Sequence, residues 1–296
     1  MKKVLEGEKM SRFAKLTILV ISLSLLLGIM SGCATKNVDA TQSENRLESI
    51  LQRGYIEVTM EPYFAPYEFI DPSKKGDEQY LGADVELSKY IAKELGVELR
   101  IVPLEFSAVL SSITEGKYDL AISALAYTPL RAEAMNMSKG YYFADDTTGY
   151  GLLIRAEDEN NIKSPDDIAD KTIVAQSGSL QELFVNEQVA KYKEFKKVSA
   201  TTDGFLMVEE NKADVCAVAI EMAQLYIDAN PNAGLMVVED FNFVVDKETQ
   251  GIRIGITKGE DELTAKINEI IDEVVVNGTY EAWYKEYAEY ARSLGL

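Results

Sequence analysis

The sequence contains no histidine among its 296 residues, and this absence excludes most imidazole-dependent enzyme chemistry. The protein has no Ser-His or Cys-His catalytic pair and no histidine ligand for a metal. Its two cysteines, Cys33 and Cys216, form no cluster of the kind that binds zinc. Cys216 lies in an apolar run and is interpreted as a buried thiol. Carboxylate-based acid–base chemistry is not excluded, because the chain has 49 aspartate and glutamate residues.

Basic side chains are scarce relative to acidic ones. The 30 lysine and arginine residues leave a formal net charge of −19, and such a surface repels nucleic acid. We therefore expect no nucleic-acid partner, and we also expect no metal, no cofactor and a monomeric protein. Most acidic side chains are interpreted as a solvated face, although the same charge would also raise the local concentration of cationic ligands.

The N-terminal region lacks an apolar run long enough to cross a bilayer as a helix. Residues 16–30 are mostly apolar but fall short of the about 20 residues that a spanning helix needs. Lys9, Arg12 and Lys15 precede this run and Ser31-Gly32-Cys33 follows it, which is the order of a signal peptide and its small-residue cleavage site. The alternative is a core helix that happens to precede a cysteine.

The residues before Cys33 resemble the cleavage box of a bacterial lipoprotein. By that resemblance, residues 1–32 are a signal peptide that is removed, whether translation starts at Met1 or at Met10. Cys33 then carries a thioether-linked diacylglyceride and an N-terminal acyl chain such as palmitate. Residues 33–46 would form a tether that holds the protein at the outer face of the cytoplasmic membrane, in a host with one membrane or with two.

From residue 47 onward, candidate strands and helices alternate. Strand patterns cover residues 55–60, 97–102, 119–126, 150–155, 172–175, 214–219 and 251–257. Helical stripes separate most of these segments, the first of them with Asp84 as its predicted N-cap. This alternation predicts an α/β protein with mainly parallel sheets. Two groups of elements predict two lobes with a cleft between them. Lobe 1 would comprise residues 47–146 and 250–296, and lobe 2 would comprise residues 147–249.

Ligands of such sheets bind beyond the carboxyl ends of strands, near the N-termini of helices. Thr128 and Pro129 suit the N-cap and first position of a helix, so Arg131 falls in its first turn. A cation there opposes the helix dipole unless an anion, such as a ligand carboxylate, binds beside it. The alternative is an exposed Arg131 paired with Glu133. A second helix start, Gln176-Ser177-Gly178-Ser179, is a candidate donor to the same carboxylate from the other lobe.

Aromatic residues and one carboxylate occupy comparable positions near the first strand. Glu61, Phe64 and Tyr67 follow that strand, and Phe106 opens a later helix. The aromatic side chains could hold an aliphatic ligand stem, and Glu61 could pair with a ligand ammonium group. Burial in the core is the alternative for each aromatic residue.

These residues resemble the extracellular solute-binding proteins of family 3, the polar-amino-acid receptors of ABC importers. The likeness covers residues 47–290, and its markers are Phe64-Ala65-Pro66-Tyr67-Glu68-Phe69, Leu81-Gly82-Ala83-Asp84-Val85-Glu86-Leu87, Gly116-Lys117-Tyr118-Asp119-Leu120, Thr128-Pro129-Leu130-Arg131 and Asn277-Gly278-Thr279-Tyr280. The resemblance implies a two-lobed periplasmic-binding-protein type II fold. Each lobe would be a mainly parallel sheet flanked by helices, with the ligand in the cleft between lobes.

The resemblance also implies a set of ligand-binding residues, centred on Arg131 as the partner of the ligand α-carboxylate. The predicted set is Glu61, Phe64, Tyr67, Phe106, Ser123, Ala124, Ala126, Arg131, Gln176, Ser177, Ser179 and Glu221. Two positions depart from the family pattern: Ala126 replaces a common hydroxyl, and Ala219 replaces the aspartate that binds the α-ammonium group. Either Glu221 or Glu61 takes over from that aspartate, or the ligand has no ordinary α-amino group.

The function that the resemblance implies is capture of a small amino acid, polar or cationic, for transport. A lipid-anchored binding protein would close its lobes over the ligand and deliver it to a membrane permease of the ABC type. One alternative is a dehydratase of the same fold that uses Glu61 or Glu221 as a catalytic carboxylate. Another is an extracellular amino-acid sensor.

Overall fold

A computed structural model describes residues 45–143 and 149–296 of the chain. The predicted signal peptide, the predicted lipidation site Cys33 and most of the predicted tether lie outside the described residues. The segment Asn45–Leu296 forms one compact unit. Within the described ranges, no helix is both long enough and apolar enough to cross a membrane.

Strands and helices alternate through most of the described chain. The strands are β1 (Tyr55–Met60), β2 (Tyr63–Phe64), β3 (Glu68–Ile70), β4 (Tyr80–Leu81), β5 (Glu98–Pro103), β6 (Leu120–Ala126), β7 (Met135–Met137), β8 (Tyr150–Arg155), β9 (Thr172–Gln176), β10 (Glu194–Val198), β11 (Val215–Ala219), β12 (Leu235–Val237) and β13 (Ile252–Thr257). The α-helices are α1 (Arg46–Arg53), α2 (Ala83–Leu95), α3 (Phe106–Thr114), α4 (Pro129–Ala134), α5 (Leu180–Gln188), α6 (Thr201–Glu209), α7 (Ile220–Ala229), α8 (Asp261–Val276) and α9 (Thr279–Leu294). Short 3-10 helices cover Gly76–Gln79, Ala156–Asp158, Pro165–Ile168 and Lys247–Thr249.

Two five-stranded sheets of the same design organise the described residues, and β2, β3 and β4 form a small third sheet. Five strands form the sheet of lobe 1 in the order β5-β1-β6-β13-β7, and five form the sheet of lobe 2 in the order β10-β9-β11-β8-β12. In each sheet one strand, β13 or β8, runs antiparallel to its neighbours, and the other four share one direction. The chain returns to lobe 1 through β13. The prediction of a two-lobed α/β protein with mainly parallel sheets is confirmed.

Hydrophobic side chains on both faces of each sheet hold the lobes together. In lobe 1, Ile56, Val58 and Leu120 of the sheet are fully buried against α2, α8 and α9. In lobe 2, Ile173 and Val215 are fully buried in the same way. Burial of each such side chain stabilises a fold by about 1.5–3 kcal/mol before entropic losses are counted. The predicted burial of the Cys216 thiol is observed, since this residue is only 1% exposed.

The helix starts next to the cleft follow from local sequence signals. Thr128 is the N-cap of α4, where its hydroxyl accepts a hydrogen bond from the Arg131 backbone N–H at 3.1 Å, and Pro129 follows at the first helical position. Ser179 is the N-cap of α5 and accepts a hydrogen bond from the Glu182 N–H at 3.1 Å. Both starts match the sequence prediction, so α4 and α5 point their N-termini at the carboxyl ends of β6 and β9.

The start of α2 differs from the sequence pattern, which suggests Asp84 as the cap. The N-cap is Gly82, whose φ of +129° is open to glycine and strained for other residues. A Cβ at this position would lie 2.1 Å from the Tyr67 carbonyl oxygen. Asp84 lies within the first turn instead and is fully buried. The expectation of a capping aspartate is wrong because the Asp84 carboxylate is used for contacts with other elements.

The C-terminal helix α9 contacts both lobes. Leu225 of α7 and Ala291 of α9 are buried in one apolar cluster. Asn230 also donates a hydrogen bond from Nδ2 to the Gly295 carbonyl oxygen at 3.2 Å. These contacts join lobe 2 to an element that packs on the lobe 1 core.

Candidate functional site

A cavity lies between the carboxyl ends of the strands of the two lobes. It contains about 670 Å³ of space that no protein atom occupies, counted with its opening to solvent. The structure brings most of the predicted binding residues to its wall, namely Glu61, Phe64, Tyr67, Phe106, Ser123, Ala124, Ala126, Arg131, Gln176, Ser179 and Glu221. Their participation in ligand binding stays a prediction.

Ser177 is the predicted residue that the structure places elsewhere. It lines a separate shallow depression beside Ser107 and Leu110 of α3, and its N–H donates to the Val198 carbonyl oxygen at 2.9 Å. The next residue, Gly178, has φ +78°, so the chain turns between Ser177 and the cavity-lining Ser179. In the sequence, only its place in the loop 176–179 indicates Ser177 as a binding residue.

Arg131 is the one cationic side chain on the described cavity wall. It is 8% exposed, and its guanidinium donates from Nη1 to the Ala126 carbonyl oxygen at 2.7 Å and from Nη2 to the Gly178 carbonyl oxygen at 3.0 Å. The second bond runs from lobe 1 to lobe 2. The guanidinium carbon also lies 5.5 Å from the centre of the Phe106 ring, which is within the range of a cation–π contact.

The charge of Arg131 is not balanced by a carboxylate of the described chain. Glu133, the alternative ion-pair partner, is exposed, and the ion pairs of the described residues include none with Arg131. Burial lowers the pKa of Arg131 to about 10, so the guanidinium remains cationic at neutral pH. A guanidinium has five N–H donors, and the two carbonyl bonds leave several of them for an anion in the cavity.

The wall next to Arg131 is formed by an irregular part of β6. Between the pairs Arg253–Leu125 and Gly255–Ala121, β6 has three residues opposite one residue of β13, which is a bulge. Within it Ala124 has φ +45°, a strained value for a residue with a Cβ. Its N–H donates to Asp84 Oδ2 at 2.7 Å. Bulges of this kind redirect backbone groups beside binding sites.

Asp84 stabilises this bulge by accepting several hydrogen bonds. Besides the Ala124 N–H, it accepts from the hydroxyl of Tyr141 at 3.0 Å and from the hydroxyl of Tyr280 at 2.6 Å. Glu68, fully buried beside it, accepts from the Ser123 hydroxyl at 2.7 Å. Burial raises the pKa of both carboxyls. Asp84 accepts three hydrogen bonds and Glu68 accepts one, so Asp84 is the carboxyl whose ionised form is better stabilised.

Glu61 stands at the end of β1 with an uncompensated carboxyl group. It is 2% exposed, and its Oε1 has no hydrogen-bond partner among the described residues. Its backbone N–H donates to the Ser123 hydroxyl oxygen at 3.0 Å. Burial raises the pKa of Glu61 to about 8, an increase that a hydrogen bond from Gln176 reduces and the negative charge of Asp203 reinforces. Glu61 is therefore mostly neutral at pH 7.

The aromatic residues contact the protein as well as the cavity. Phe64 stacks on Tyr67 with ring centres 5.5 Å apart, and Tyr67 contacts Tyr284 edge-on at 5.1 Å. Phe64 stacks on Tyr67 and Phe106 faces Arg131, so the rings of Phe64 and Phe106 are not stacked on each other. Both rings nevertheless line the cavity.

The end of the cavity near α7 contains the position of the missing family aspartate. Ala219 is the N-cap of α7 and Glu221 lies in its first turn, and both line the cavity. Tyr284 of α9 faces Glu221 from the other lobe, and burial, reinforced by Tyr67 and Glu221, raises the pKa of the Tyr284 hydroxyl strongly. Glu221 is the carboxylate that α7 places on the cavity wall, two residues after Ala219.

Several lining residues were not found from the sequence. They are Ala65, Pro66, Glu68, Tyr150, Leu180, Gln181, Ala219, Met222, Ile252 and Tyr284. Glu68 belongs to one of the family motifs, and Ala219 is a departure from the family pattern. Tyr284 belongs to the last helix, where no local signal indicates that it reaches the cleft. In the described part of the chain, no group of three or more cysteine, aspartate or glutamate residues is placed to hold a metal ion.

Comparison with known proteins agrees with this architecture. The arginine-binding extracellular protein ArtP of Bacillus subtilis (strain 168) is 27% identical over 264 residues, which cover 88% of this chain and 96% of that protein. The structure of AbpA, an amino acid ABC transporter substrate-binding protein of Streptococcus pneumoniae bound to L-arginine, matches with a TM-score of 0.73 and 27% identity over 82% of this chain and 98% of that one. The fold is therefore that of the two-lobed type II periplasmic binding proteins.

A further structural match is an ancestral binding protein that is a precursor of an enzyme. AncCDT-1, an ancestral amino acid-binding protein and a precursor of cyclohexadienyl dehydratase, matches with a TM-score of 0.70 and 25% identity over 81% of this chain and 98% of that one. The family model for bacterial extracellular solute-binding proteins, family 3, matches residues 56–290. The chain therefore belongs to the bacterial extracellular solute-binding proteins of family 3.

Proposed function

We propose that this protein captures an amino acid in the cleft between its lobes and delivers it to the permease of an ABC importer. The observation that carries the proposal is Arg131, a buried cation that faces the cavity between the lobes without a carboxylate partner in the described chain. A buried charge is costly unless it is paired. An amino-acid carboxylate supplies the missing partner, and the amino-acid-binding relatives support this class of ligand.

The residues around Arg131 support a division of tasks within the site. The backbone at Ala124 and Ala126 and the N-terminus of α5 at Ser179 would surround the ligand carboxylate together with Arg131. Phe64 and Phe106 would contact the apolar stem of the ligand. Glu221 would accept a hydrogen bond from the α-ammonium group, because Ala219 provides no acceptor side chain.

Lobe closure supports capture in a transport cycle. The Arg131–Gly178 hydrogen bond joins the lobes inside the cavity wall, so an open state must break it and expose the guanidinium. A carboxylate that binds Arg131 would favour the closed state, and hinge closure around a ligand is a common response of two-lobed receptors. We further propose that lipidation of Cys33 keeps the receptor at the membrane, near its permease.

Isothermal titration calorimetry of the compact unit Asn45–Leu296 against the common amino acids tests the proposal. We expect at least one of them to bind, and we expect Arg131→Ala to weaken that binding by about 100-fold or more, because it removes a buried charge-assisted interaction worth about 3 kcal/mol. Arg292→Ala, at an exposed arginine of α9, is the matched control and should leave affinity unchanged. Absence of binding to every amino acid, in protein free of copurified ligand, would refute the proposal.

One observation favours a second candidate function, a dehydratase. The buried, mostly neutral Glu61 has the protonation state of a general acid, and the ancestral neighbour AncCDT-1 preceded an enzyme. Turnover assays with prephenate-like cyclohexadienyl acids test this alternative. Product formation that disappears in Glu61→Gln would support an enzyme, and a complete absence of turnover in protein that binds amino acids would exclude it for these substrates.

A further inference from the structure

A pair of buried carboxyl groups lies directly behind the cavity wall of lobe 1. Glu68 of β3 and Asp84 of α2 are both fully buried, and their carboxyl groups lie within hydrogen-bond reach of each other. Among the described residues, neither takes part in an ion pair. Two adjacent negative charges without a cation would be costly in this interior. The pair therefore holds at least one proton.

The hydrogen bonds around the pair differ between its two members. Asp84 accepts the Ala124 N–H at 2.7 Å and two tyrosine hydroxyls. Glu68 accepts a single bond, from the Ser123 hydroxyl to Oε1 at 2.7 Å. Its Oε2 has no hydrogen-bond partner in the described part of the chain. A proton on Oε2 that is donated to Asp84 would give this buried oxygen the partner that it otherwise lacks.

The electrostatic surroundings of the two carboxyls point in the same direction. Burial raises the pKa of both. For Asp84 the hydrogen bonds from its donors oppose that rise, whereas for Glu68 the negative charge of Asp84 adds to it. Both effects favour a proton on Glu68 and a charge on Asp84.

The pair is attached to consecutive residues of the cavity wall. Ser123 and Ala124 both line the cavity, and each is bonded to one member of the pair. Ala124 has φ +45°, a strained conformation that persists only where its surroundings hold it. Two residues further along β6, the Ala126 carbonyl oxygen accepts the Arg131 Nη1 bond at 2.7 Å. The buried pair thus supports the strand segment against which the Arg131 guanidinium is oriented.

We propose that Glu68 positions the cavity wall as a neutral acid, which accepts the Ser123 hydroxyl bond and donates its own proton to Asp84. Through this wall it orients Arg131 toward the ligand carboxylate. This role of Glu68 rests on the proposed amino-acid-binding function and adds to it a buried residue that acts through others. Loss of the Glu68 proton would place a second negative charge beside Asp84. Loss of the side chain would leave the Ser123 hydroxyl without its acceptor.

Infrared spectroscopy of the empty unit Asn45–Leu296 at pH 7 tests the protonation of Glu68. A protonated carboxyl group has a carbonyl stretching band at higher frequency than a carboxylate or an amide. We expect Glu68→Gln to lose the intensity of one such group. Glu94→Gln, at an exposed position of α2, is the matched control and should leave the band unchanged. A band that is equally strong in Glu68→Gln and in the wild-type protein would overturn the proposal.

Isotopic labelling identifies which member of the pair carries the proton. In protein labelled with ¹³C at the side-chain carboxyls of glutamate, the band that Glu68→Gln removes should move to lower frequency. An unshifted band would place the proton on Asp84, because aspartate is not labelled, and this result would also overturn the proposal.

Calorimetric titration with each common amino acid tests the positioning role. The Gln side chain has an acceptor for Ser123 and an N–H donor for Asp84, so Glu68→Gln should bind within about threefold of the wild-type affinity. Glu68→Met is similar in length but lacks these groups. It should weaken binding about tenfold or more, as expected when a buried polar group loses its partner. Wild-type affinity in Glu68→Met, or an equal loss in both variants, would contradict the role of Glu68.

The outcomes separate this role from the proposed function. Amino-acid binding by the wild-type protein, together with a proton on Asp84 or unchanged affinity in Glu68→Met, overturns the role of Glu68 and leaves the proposed function standing. Binding of none of the amino acids overturns both. The labelled spectrum and the affinity of Glu68→Gln decide the matter even if Glu68→Met fails to fold. Failure of Glu68→Gln to fold would itself contradict a neutral Glu68.

Discussion

Lobe 1 and lobe 2 share one topology, in which a single reversed strand lies next to the strand that runs into the cleft. The corresponding cleft strands are β6 and β11. β6 contains a bulge with a strained Ala124, supported from below by a fully buried aspartate. β11 has no register irregularity and runs directly into the N-cap residue Ala219. The two lobes therefore share one strand order, but the cleft strand is bulged in lobe 1 and regular in lobe 2.

The difference extends to the charges that face the ligand. Lobe 1 contributes Arg131 and Glu61, both nearly inaccessible to solvent, and the carboxyl pair of Glu68 and Asp84 behind them. Lobe 2 contributes a capping hydroxyl, an amide, a backbone carbonyl and the half-buried Glu221. Groups fixed by buried hydrogen bonds are preorganised. Lobe 1 is thus the prepared half of the site, and lobe 2 completes it on closure.

The largest expected effect that tests this contrast between the lobes is the pH dependence of the free energy of unfolding. The pKa of Glu61 is raised from 4.5 to about 8 in the folded protein, so between these values the folded state holds a proton that the unfolded state has lost. The raised pKa of Glu61 adds at most about 5 kcal/mol to the free energy of unfolding. This contribution is fully present below pH 4.5 and is lost as pH rises through 8. Urea unfolding of the empty protein from pH 5 to pH 8 measures it.

Comparison with Glu61→Gln isolates the contribution of this residue, because Glu68 and Asp84 titrate in both proteins. The wild-type unfolding free energy should decline more steeply with pH than that of the variant. Parallel curves would show that Glu61 is not held neutral by the lobe 1 wall.

A second prediction concerns the support of the β6 bulge. Asp84→Ala leaves the Ala124 N–H and the hydroxyls of Tyr141 and Tyr280 without their acceptor, and each buried unsatisfied group costs about 1–3 kcal/mol. We expect a loss of about 3–5 kcal/mol in the free energy of unfolding, measured with urea. Glu86→Gln, at a partly exposed position of the same helix, is the control and should cost well under 1 kcal/mol. A small loss for Asp84→Ala would mean that lobe 1 is no more prepared than lobe 2.

The smallest expected effect belongs to lobe 2. Ser179→Ala removes the hydroxyl that caps α5 and should cost about 1 kcal/mol in unfolding free energy. Thr128→Ala at the cap of α4 should cost a similar amount, since both side chains accept one backbone N–H bond. If Ser179→Ala destabilised the empty protein as much as Asp84→Ala does, the contrast between the lobes would disappear.

The sequence was informative where the position of a functional residue depends on residues close to it in the chain. Thr128 and Pro129 place Arg131 in the first turn of α4 by capping chemistry alone, and the structure has this arrangement. Strand patterns likewise predicted the alternating elements of both lobes. Most predicted binding residues line one cavity because ends of parallel strands meet at the same edge of a sheet.

Features that depend on distant parts of the chain could not be predicted in this way. Asp84 looks like a helix cap locally, yet its acceptor capacity is used by Ala124, Tyr141 and Tyr280, which lie up to 196 positions away. Tyr284 reaches the cleft only because α9 packs back across both lobes. Sequence periodicity reports the buried face of such a helix and not the element that it meets.

A crystal structure of the unit Asn45–Leu296 with a bound amino acid would show whether Arg131 binds the ligand carboxylate. We predict that the ligand carboxylate lies within hydrogen-bond distance, about 2.7–3.2 Å, of Arg131 guanidinium nitrogens, in the cavity between β6 and the N-terminus of α5. A ligand bound in this cavity with its carboxylate away from Arg131, or a ligand bound outside it, would contradict the account.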